Sequence, residues 1–109
     1  MTVNELAEKC GFTTLCAPDP ERTVEGVYIG DLLSWVMGRA KSDEAWITIM
    51  SNVNVLAVAT LADVSCVILA ENVLPDEDMI SIAYNKGVNI LSSNKSAYKA
   101  AIDISAVLK

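Results

Sequence analysis

The sequence contains no histidine and offers few groups that could start an enzymatic reaction. Without histidine, a general base must be a carboxylate, a lysine or a cysteine, and none of these stands in a recognisable catalytic pairing. The phosphate-binding patterns GxxxxGK[ST] and GxGxxG are also missing, so ATP hydrolysis and Rossmann-type dinucleotide binding have no support. We therefore predict no catalytic residues, and the remaining enzymatic alternative uses Asp31 or Lys95 as a base.

The three cysteines, Cys10, Cys16 and Cys66, form no CxxC pair and lack the histidines that would complete a zinc site. An odd number of unpaired cysteines is typical of reduced thiols. The N-terminus carries charges and has no apolar core of signal length, which favours a cytoplasmic protein. We expect no metal and no cofactor.

Basic residues are scarce, with 8 Lys and Arg against 14 Asp and Glu and a net charge of −6. Nucleic acids and phospholipid surfaces require clustered positive charge, so neither is an expected partner. The longest apolar stretch, Ala45–Ala62, is interrupted by Ser51, Asn52 and Asn54. It falls short of the roughly 18 apolar residues of a membrane span, so we expect no membrane association.

Apolar residues make up 52% of the 109 positions, and short apolar runs alternate with helical patterns. This alternation predicts one α/β domain over residues 1–109, with three layers and a mostly parallel sheet of about five short strands with helices packed on it. Strand order is not determined by the pattern. The predicted strands are Phe12–Cys16, Val27–Ile29, Trp46–Met50, Cys66–Ala70 and Val88–Leu91.

Helix boundaries follow from capping signals and periodicity. Thr2 and Glu5 have the spacing of a capping box at the start of a first helix that Gly11 ends. Asp31 is predicted to cap the helix that follows Gly30, where glycine is expected to allow an unusual backbone conformation. The segment Val53–Ala62 suits a strand by its valines and a helix by its length, and we interpret it as a crossover helix. Two further helices are predicted from Pro75 and Ala97.

Small polar residues follow several of the predicted strands. In a parallel sheet the carboxyl ends of the strands meet at one edge, where ligands commonly bind. Backbone N–H groups beside serine and asparagine could hold a phosphate or carboxylate there, with Lys95 or Arg22 supplying positive charge. The alternative is that these residues only cap helices. The candidate ligand-binding residues are Gly30, Asp31, Ser51, Asn52, Asn54, Ser92, Ser93 and Lys95.

The predicted helix Val53–Ala62 is apolar on nearly every side, more than one face against a sheet requires. A second copy of the chain would cover the remaining sides, since symmetric dimers are the commonest oligomers. The alternative is that the N- or C-terminal helix of the same chain covers them. The predicted dimer residues are Trp35, Leu56, Val58 and Ala59.

The segment from Arg22 to Met37 has the pattern R-x-x-x-G-x-Y-x-G-D-L-L-S-x-V-M. This pattern resembles the DRTGG domain, and the resemblance extends over residues 20–100. Where the family has Asp-Arg-Thr-Gly-Gly, this sequence has Glu-Arg-Thr-Val-Glu and then Gly26. The residues that carry the resemblance are Arg22, Gly26, Tyr28, Gly30, Asp31, Leu32, Leu33, Ser34, Val36 and Met37.

The resemblance implies a fold similar to the N-terminal domain of HPr kinase/phosphorylase and to stand-alone DRTGG proteins of anaerobic bacteria. It also implies a regulatory role, because such domains occur beside nucleotide-sensing CBS domains. The leading hypothesis is a non-catalytic, homodimeric, ligand-sensing module that binds a small anionic ligand, such as a nucleotide or another phosphorylated small molecule, or a partner protein. The alternative is a scaffold protein linked to iron-hydrogenase function, with no small-molecule ligand.

Overall fold

The computed structural model describes residues 1–108, which begin with a helix, continue with two strands, and then alternate between helix and strand to give five strands and five helices. The strands are β1 (Thr13–Cys16), β2 (Gly26–Ile29), β3 (Glu44–Thr48), β4 (Cys66–Leu69) and β5 (Ile90–Ser92). The helices are α1 (Val3–Cys10), α2 (Leu33–Arg39), α3 (Asn54–Ala62), α4 (Met79–Lys86) and α5 (Ala97–Val107). No helix within residues 1–108 has the length and apolar character needed to cross a membrane.

The strands form one sheet in the order β1-β5-β4-β3-β2. Strands β2 to β5 are parallel to one another, while β1 pairs antiparallel with β5 at the far edge. The prediction of an α/β fold with a mostly parallel sheet is therefore confirmed. Because β2 to β5 are parallel, their carboxyl ends lie at one edge of the sheet, called here the carboxyl edge, and their starts lie at the amino edge.

Helices cover both faces of the sheet, as expected for parallel strands that are apolar on both sides. Along β3, Trp46 packs with α2, α3 and α4, whereas its neighbour Ile47 packs with α1 and α5. Both side chains are completely buried, and the Trp46 indole N–H donates a hydrogen bond of 2.8 Å to the Gly30 carbonyl. This bond ties the core to the first loop of the carboxyl edge.

The capping box of α1 is confirmed. The Thr2 hydroxyl accepts a hydrogen bond of 3.1 Å from the Glu5 amide, and the Glu5 carboxylate accepts one of 3.0 Å from the Thr2 amide. These bonds lower the pKa of the Glu5 carboxyl, since they favour its charged form. Gly11 ends the helix in the left-handed conformation, at φ 71°.

The segment Val53–Ala62 is helical, as predicted, from Asn54 to Ala62. The prediction that a second copy of the chain covers its apolar sides is wrong, because Leu56, Val58 and Ala59 are buried within the chain against α2, α4 and the sheet. These three residues are therefore not available to a second copy. Helices α1 and α5 do not cover them either, since both pack on the opposite face of the sheet.

Several predicted boundaries shift by a few residues. Strand β3 begins at Glu44 and ends at Thr48, before the predicted end at Met50. The last strand begins at Ile90 because the Val88 amide closes the end of α4, donating a hydrogen bond to the Ala83 carbonyl. Helix α4 begins at Met79, after a turn in which the Met79 amide donates a hydrogen bond to the Asp76 carbonyl, while the Asp76 amide donates to the Ser51 carbonyl.

Candidate functional site

The predicted ligand-binding residues lie in three of the four loops of the carboxyl edge. Gly30 and Asp31 follow β2, Ser51 and Asn52 lie between β3 and α3, and Asn54 is the first residue of α3. Ser92, Ser93 and Lys95 lie at the end of β5 and in the loop before α5. The fourth loop, after β4, separates the last group from the others, because β4 lies between β3 and β5 in the sheet.

Asp31 joins β2 to β3 and does not cap a helix. Its Oδ1 atom accepts hydrogen bonds from the Thr48 hydroxyl at 2.8 Å and from the Ile49 amide at 3.0 Å. The N-terminal cap of α2 is Leu32, with no side-chain hydrogen bond, so the prediction of a cap at Asp31 is wrong. The buried Thr48 hydroxyl on β3 binds the Asp31 carboxylate, which could otherwise have accepted a hydrogen bond from the start of α2.

Gly30 lies close to neighbouring side chains, and the prediction that glycine allows an unusual backbone conformation there is wrong. Its φ angle lies outside the left-handed region. Within residues 1–108, the glycines that adopt this region are Gly11 and Gly87. A Cβ atom at Gly30 would lie 3.0 Å from the edge of the Tyr28 ring and 3.5 Å from a Val36 methyl group. A side chain there would therefore require the tyrosine ring to move by a few tenths of an ångström.

The loop after β3 is held by its own polar groups and by the loop after β4. The Asn52 side-chain oxygen accepts a hydrogen bond of 2.9 Å from the Asn54 amide at the start of α3. The Ser51 carbonyl accepts one of 2.9 Å from the Asp76 amide. Asn52 therefore bonds the helix start, as the capping alternative predicts, while the Asn54 side chain is exposed to solvent.

The loop after β5 is bonded to the loop after β4. The buried Ser93 hydroxyl accepts a hydrogen bond of 3.1 Å from the Lys95 amide. The carbonyls of Ser93 and Lys95 accept hydrogen bonds of 2.8 Å from the amides of Asn72 and Glu71, respectively. Glu71 and Asn72 both have left-handed backbones, with φ 61° and 57°, a conformation that asparagine accepts more readily than glutamate.

The two predicted sources of positive charge do not face a free anion site. The Lys95 ammonium lies 2.6 Å from Asp103 Oδ2 on α5. Arg22 lies at the amino edge, so the suggestion that it supplies charge to the carboxyl edge is wrong. The four loops of the carboxyl edge carry one lysine and five exposed carboxylates, which are Asp31, Glu71, Asp76, Glu77 and Asp78.

Arg22 forms an ion-pair cluster with Asp43 and Asp63, called here the Arg22 clasp. The Arg22 Nε atom lies 3.0 Å from Asp43 Oδ1, and its NH2 group lies 2.9 Å from Asp63 Oδ1 and 2.7 Å from the Asp63 carbonyl. Asp43 and Asp63 immediately precede β3 and the turn before β4, and both have positive φ angles. The clasp therefore fixes two strained turns at the amino edge.

The Ser42 hydroxyl extends the clasp by donating a hydrogen bond of 2.7 Å to Asp63 Oδ2. This bond and the Arg22 guanidinium lower the pKa of the Asp63 carboxyl. The motif stretch from Glu21 to Val27 thus lies at the opposite edge from the candidate ligand residues. Val24, which replaces a motif glycine, is buried in the core under α1 and α5.

The cysteines are held as neutral thiols. Burial raises the pKa of the Cys66 thiol to about 12, and burial also raises the pKa of Cys16 and Cys10. A raised pKa keeps the reactive thiolate form scarce at neutral pH. Within residues 1–108 no pocket is present, and no three His, Cys, Asp or Glu residues are grouped so as to hold a metal ion.

Two features of the site were missed by the sequence prediction. Thr48 was assigned only to an apolar strand, although it is 1% exposed and holds both Asp31 and the Met50 amide with its hydroxyl. A lone threonine in the run WITIM was the available signal. The clasp partners Asp43 and Asp63 had no signal of this kind, since they lie 21 and 41 residues from Arg22.

Comparisons with known proteins address the family and the fold. The family model described as "DRTGG domain" matches residues 5–107. No protein of curated function matches the chain in sequence. A similar solved structure contains the CBS and DRTGG domains of the regulatory region of Clostridium perfringens pyrophosphatase, complexed with the activator diadenosine tetraphosphate. It has a TM-score of 0.73 and 11% sequence identity.

That alignment covers 94% of this chain but 45% of the pyrophosphatase region, so this chain spans less than half of the neighbour's length. At this low identity the structural likeness bears on the fold, and it agrees with the five-stranded, mostly parallel sheet. The family match extends over nearly all of the sequence, including the motif arginine that forms the clasp. The chain belongs to the DRTGG domain family.

Proposed function

We propose that this chain is a non-catalytic regulatory module that binds its ligand or partner at the carboxyl edge. The observation that carries the proposal is the arrangement of four exposed loops at one edge of a DRTGG fold, cross-bonded to one another by Asp31, Ser51 and Ser93. A regulatory role is supported by the pyrophosphatase neighbour, whose regulatory region holds a nucleotide activator.

The small-ligand form of this proposal is a nucleotide or another phosphorylated small molecule bound by hydroxyl and amide groups. Asn54 is exposed at the start of α3, where backbone N–H groups favour anions. The proposed site also includes Ser51 and Asn52 in the same loop, Gly30 and Asp31 after β2, and Ser92, Ser93 and Lys95 on the far side of the loop after β4. Binding to the folded chain alone would stabilise it against unfolding.

Thermal unfolding in the presence of AMP, ATP and diadenosine tetraphosphate tests this form. A ligand at one hundred times its dissociation constant adds about 2.7 kcal/mol to the free energy of unfolding. Asn54→Ala should reduce the stabilisation, whereas the matched control Asn85→Ala, exposed near the end of α4, should not. Unchanged melting curves with every nucleotide would contradict the small-ligand form.

The homodimer is proposed with a different surface from the predicted one. Of the predicted dimer residues, Trp35 remains exposed, at 55%, and it lies on α2 beside the buried Val36, with the exposed Met37 on the other side of Val36. Strand β2, next to α2, is an edge strand of the sheet. Sedimentation should show a dimer that Trp35→Glu dissociates and that the control Tyr84→Glu on α4 leaves intact. A monomer at all concentrations would contradict it.

A second candidate function is protein interaction without a small-molecule ligand. The specific observation that favours it is the charge of the carboxyl edge, where five carboxylates face one lysine that is already paired with Asp103. Such an edge repels a free polyanion but attracts a positively charged protein surface. In this form the hydroxyl and amide groups of the loops serve only to hold the loops in place.

A further inference from the structure

The carboxyl edge exposes apolar side chains as well as carboxylates. Leu74, in the loop after β4, is 80% exposed, and four other large apolar residues, at the end of β2 or in the loops after β2 and β3, are exposed by two fifths or more. We call this set the apolar edge patch. Its members are Ile29, Leu32, Ile49, Val53 and Leu74.

Hydrogen bonds join the loops that carry the members of the patch. Asp31, which lies between Ile29 and Leu32 in the sequence, accepts a hydrogen bond of 3.0 Å from the Ile49 amide in the loop after β3. Ser51 lies between Ile49 and Val53 in the sequence. Its carbonyl accepts a hydrogen bond of 2.9 Å from the amide of Asp76, which is two residues after Leu74. The patch therefore spans three neighbouring loops, following strands that are adjacent in the sheet as β4-β3-β2.

Exposed carboxylates border the patch, and positive charge there is sparse. Asp76, Glu77 and Asp78 follow Leu74 directly, Asp31 lies between the first two loops, and Glu71 begins the loop of Leu74. Lys95 is held by Asp103, and Arg39 lies over the Trp35 ring on the outer side of α2 at 3.9 Å from its centre. Exposed apolar side chains within a polar rim are typical of protein interaction sites.

We propose that the apolar edge patch docks a protein segment that combines apolar side chains with lysine or arginine. This inference rests on the protein-interaction form of the proposed function. Charge complementarity selects the occupant, because the rim attracts positive charge and repels acidic partners. It also disfavours a second copy of the same edge, since two such edges facing each other would bring ten carboxylates together.

The test uses the full chain and three labelled synthetic peptides with the same leucine positions, whose remaining residues are lysine, glutamate or serine. Fluorescence anisotropy should show binding of the lysine peptide, weakened by added salt because exposed charges are screened. The glutamate peptide should not bind. Leu74→Ser and Glu77→Lys should each weaken binding of the lysine peptide about tenfold, through loss of an apolar anchor and of charge attraction.

Matched controls distinguish docking at the patch from general attraction to an acidic protein. Leu61→Ser removes a leucine that is 71% exposed near the end of α3, and Glu25→Lys reverses an exposed acid at the start of β2. Both lie toward the amino edge and should leave binding unchanged. Equal losses in the control variants, equal binding of the glutamate peptide, or no binding of the lysine peptide would each overturn the proposal.

Two further results separate this inference from the proposed function. If nucleotides stabilise the chain while the lysine peptide does not bind, the docking inference fails and the small-ligand form stands. If sedimentation shows a dimer that Leu74→Ser dissociates, a second copy occupies the patch and the inference also fails. If neither peptides nor nucleotides bind, the proposed function itself fails.

Discussion

The two edges of the sheet are built in opposite ways. At the amino edge, Arg22 joins three chain segments through charged hydrogen bonds of 2.7 to 3.0 Å, and its own side chain is 25% exposed. At the carboxyl edge, neighbouring loops are joined by one or two hydrogen bonds, of which those to Asp31 involve a charged group, and apolar and acidic side chains face solvent. The comparison indicates that the amino edge contributes more to the stability of the fold, and the carboxyl edge is the one that we propose binds a ligand or partner.

Replacement of Arg22 should have the largest effect of the changes considered. Arg22→Met would leave Asp43 and Asp63 without their cation and the Asp63 carbonyl without its donor. Because the cluster is partly buried, the expected loss lies between those of surface and buried ion pairs, about 2 kcal/mol. Urea unfolding measures it. The control Arg39→Met removes only an exposed stacking contact, about 0.5 kcal/mol. Similar losses in both variants would remove the special role of the clasp.

Thr48→Val should have the largest effect among the polar groups of the carboxyl edge. The substitution preserves shape but removes the hydroxyl that donates to Asp31 and accepts from the Met50 amide. A buried, unpaired amide and a lost charged hydrogen bond should together cost about 1.5 kcal/mol. The same unfolding measurement with Thr14→Val, on an exposed position of β1, provides the control and should show almost no change.

Acidification should weaken the amino edge through Asp63. Its pKa is lower in the folded chain than in the unfolded chain, so its contribution to stability is fully present above the unfolded pKa. That contribution is lost as the pH falls through the folded pKa. Wild-type chain should therefore lose more stability than Asp63→Asn between neutral pH and about pH 3. Parallel curves for the two proteins would show that the pairing contributes nothing measurable.

Leu74→Ser should have the smallest effect on stability, although it should have a large effect on peptide binding. Its side chain is 80% exposed and adds little to the core. The expected change in the free energy of unfolding is within about 0.5 kcal/mol, measured by thermal or urea unfolding. A larger loss would mean that the apolar edge patch is part of the fold, and the contrast between the edges would then be weaker.

Local patterns predicted the elements of this fold and much of the candidate site. Apolar runs located all five strands, and the capping box of Thr2 and Glu5 located the start of α1. The convergence of Gly30, Ser51 and Ser93 on one edge follows from parallel strands, which the alternation of strands and helices indicated. These features depend on residues that are neighbours in sequence.

The errors concern contacts between residues far apart in sequence. Asp31 was expected to cap α2, but Thr48, 17 residues away, holds it. The apolar sides of α3 were expected to need a second copy, because the pattern did not reveal that α2 and α4 flank the helix. No local signal in the sequence indicated that β1 runs antiparallel to β5 or that Arg22 lies at the amino edge.

The pairing of β1 with β5 has a consequence for synthesis of the chain on the ribosome. Thr13 and Thr14 pair with Ser92 and Leu91, and α1 packs on α5. Strand β1, in the first fifth of the polypeptide, therefore has no strand partner until β5, in the last fifth, has emerged from the exit tunnel. Until then, β1 remains unpaired. The nascent chain is therefore most open to misassembly shortly before translation of this region ends.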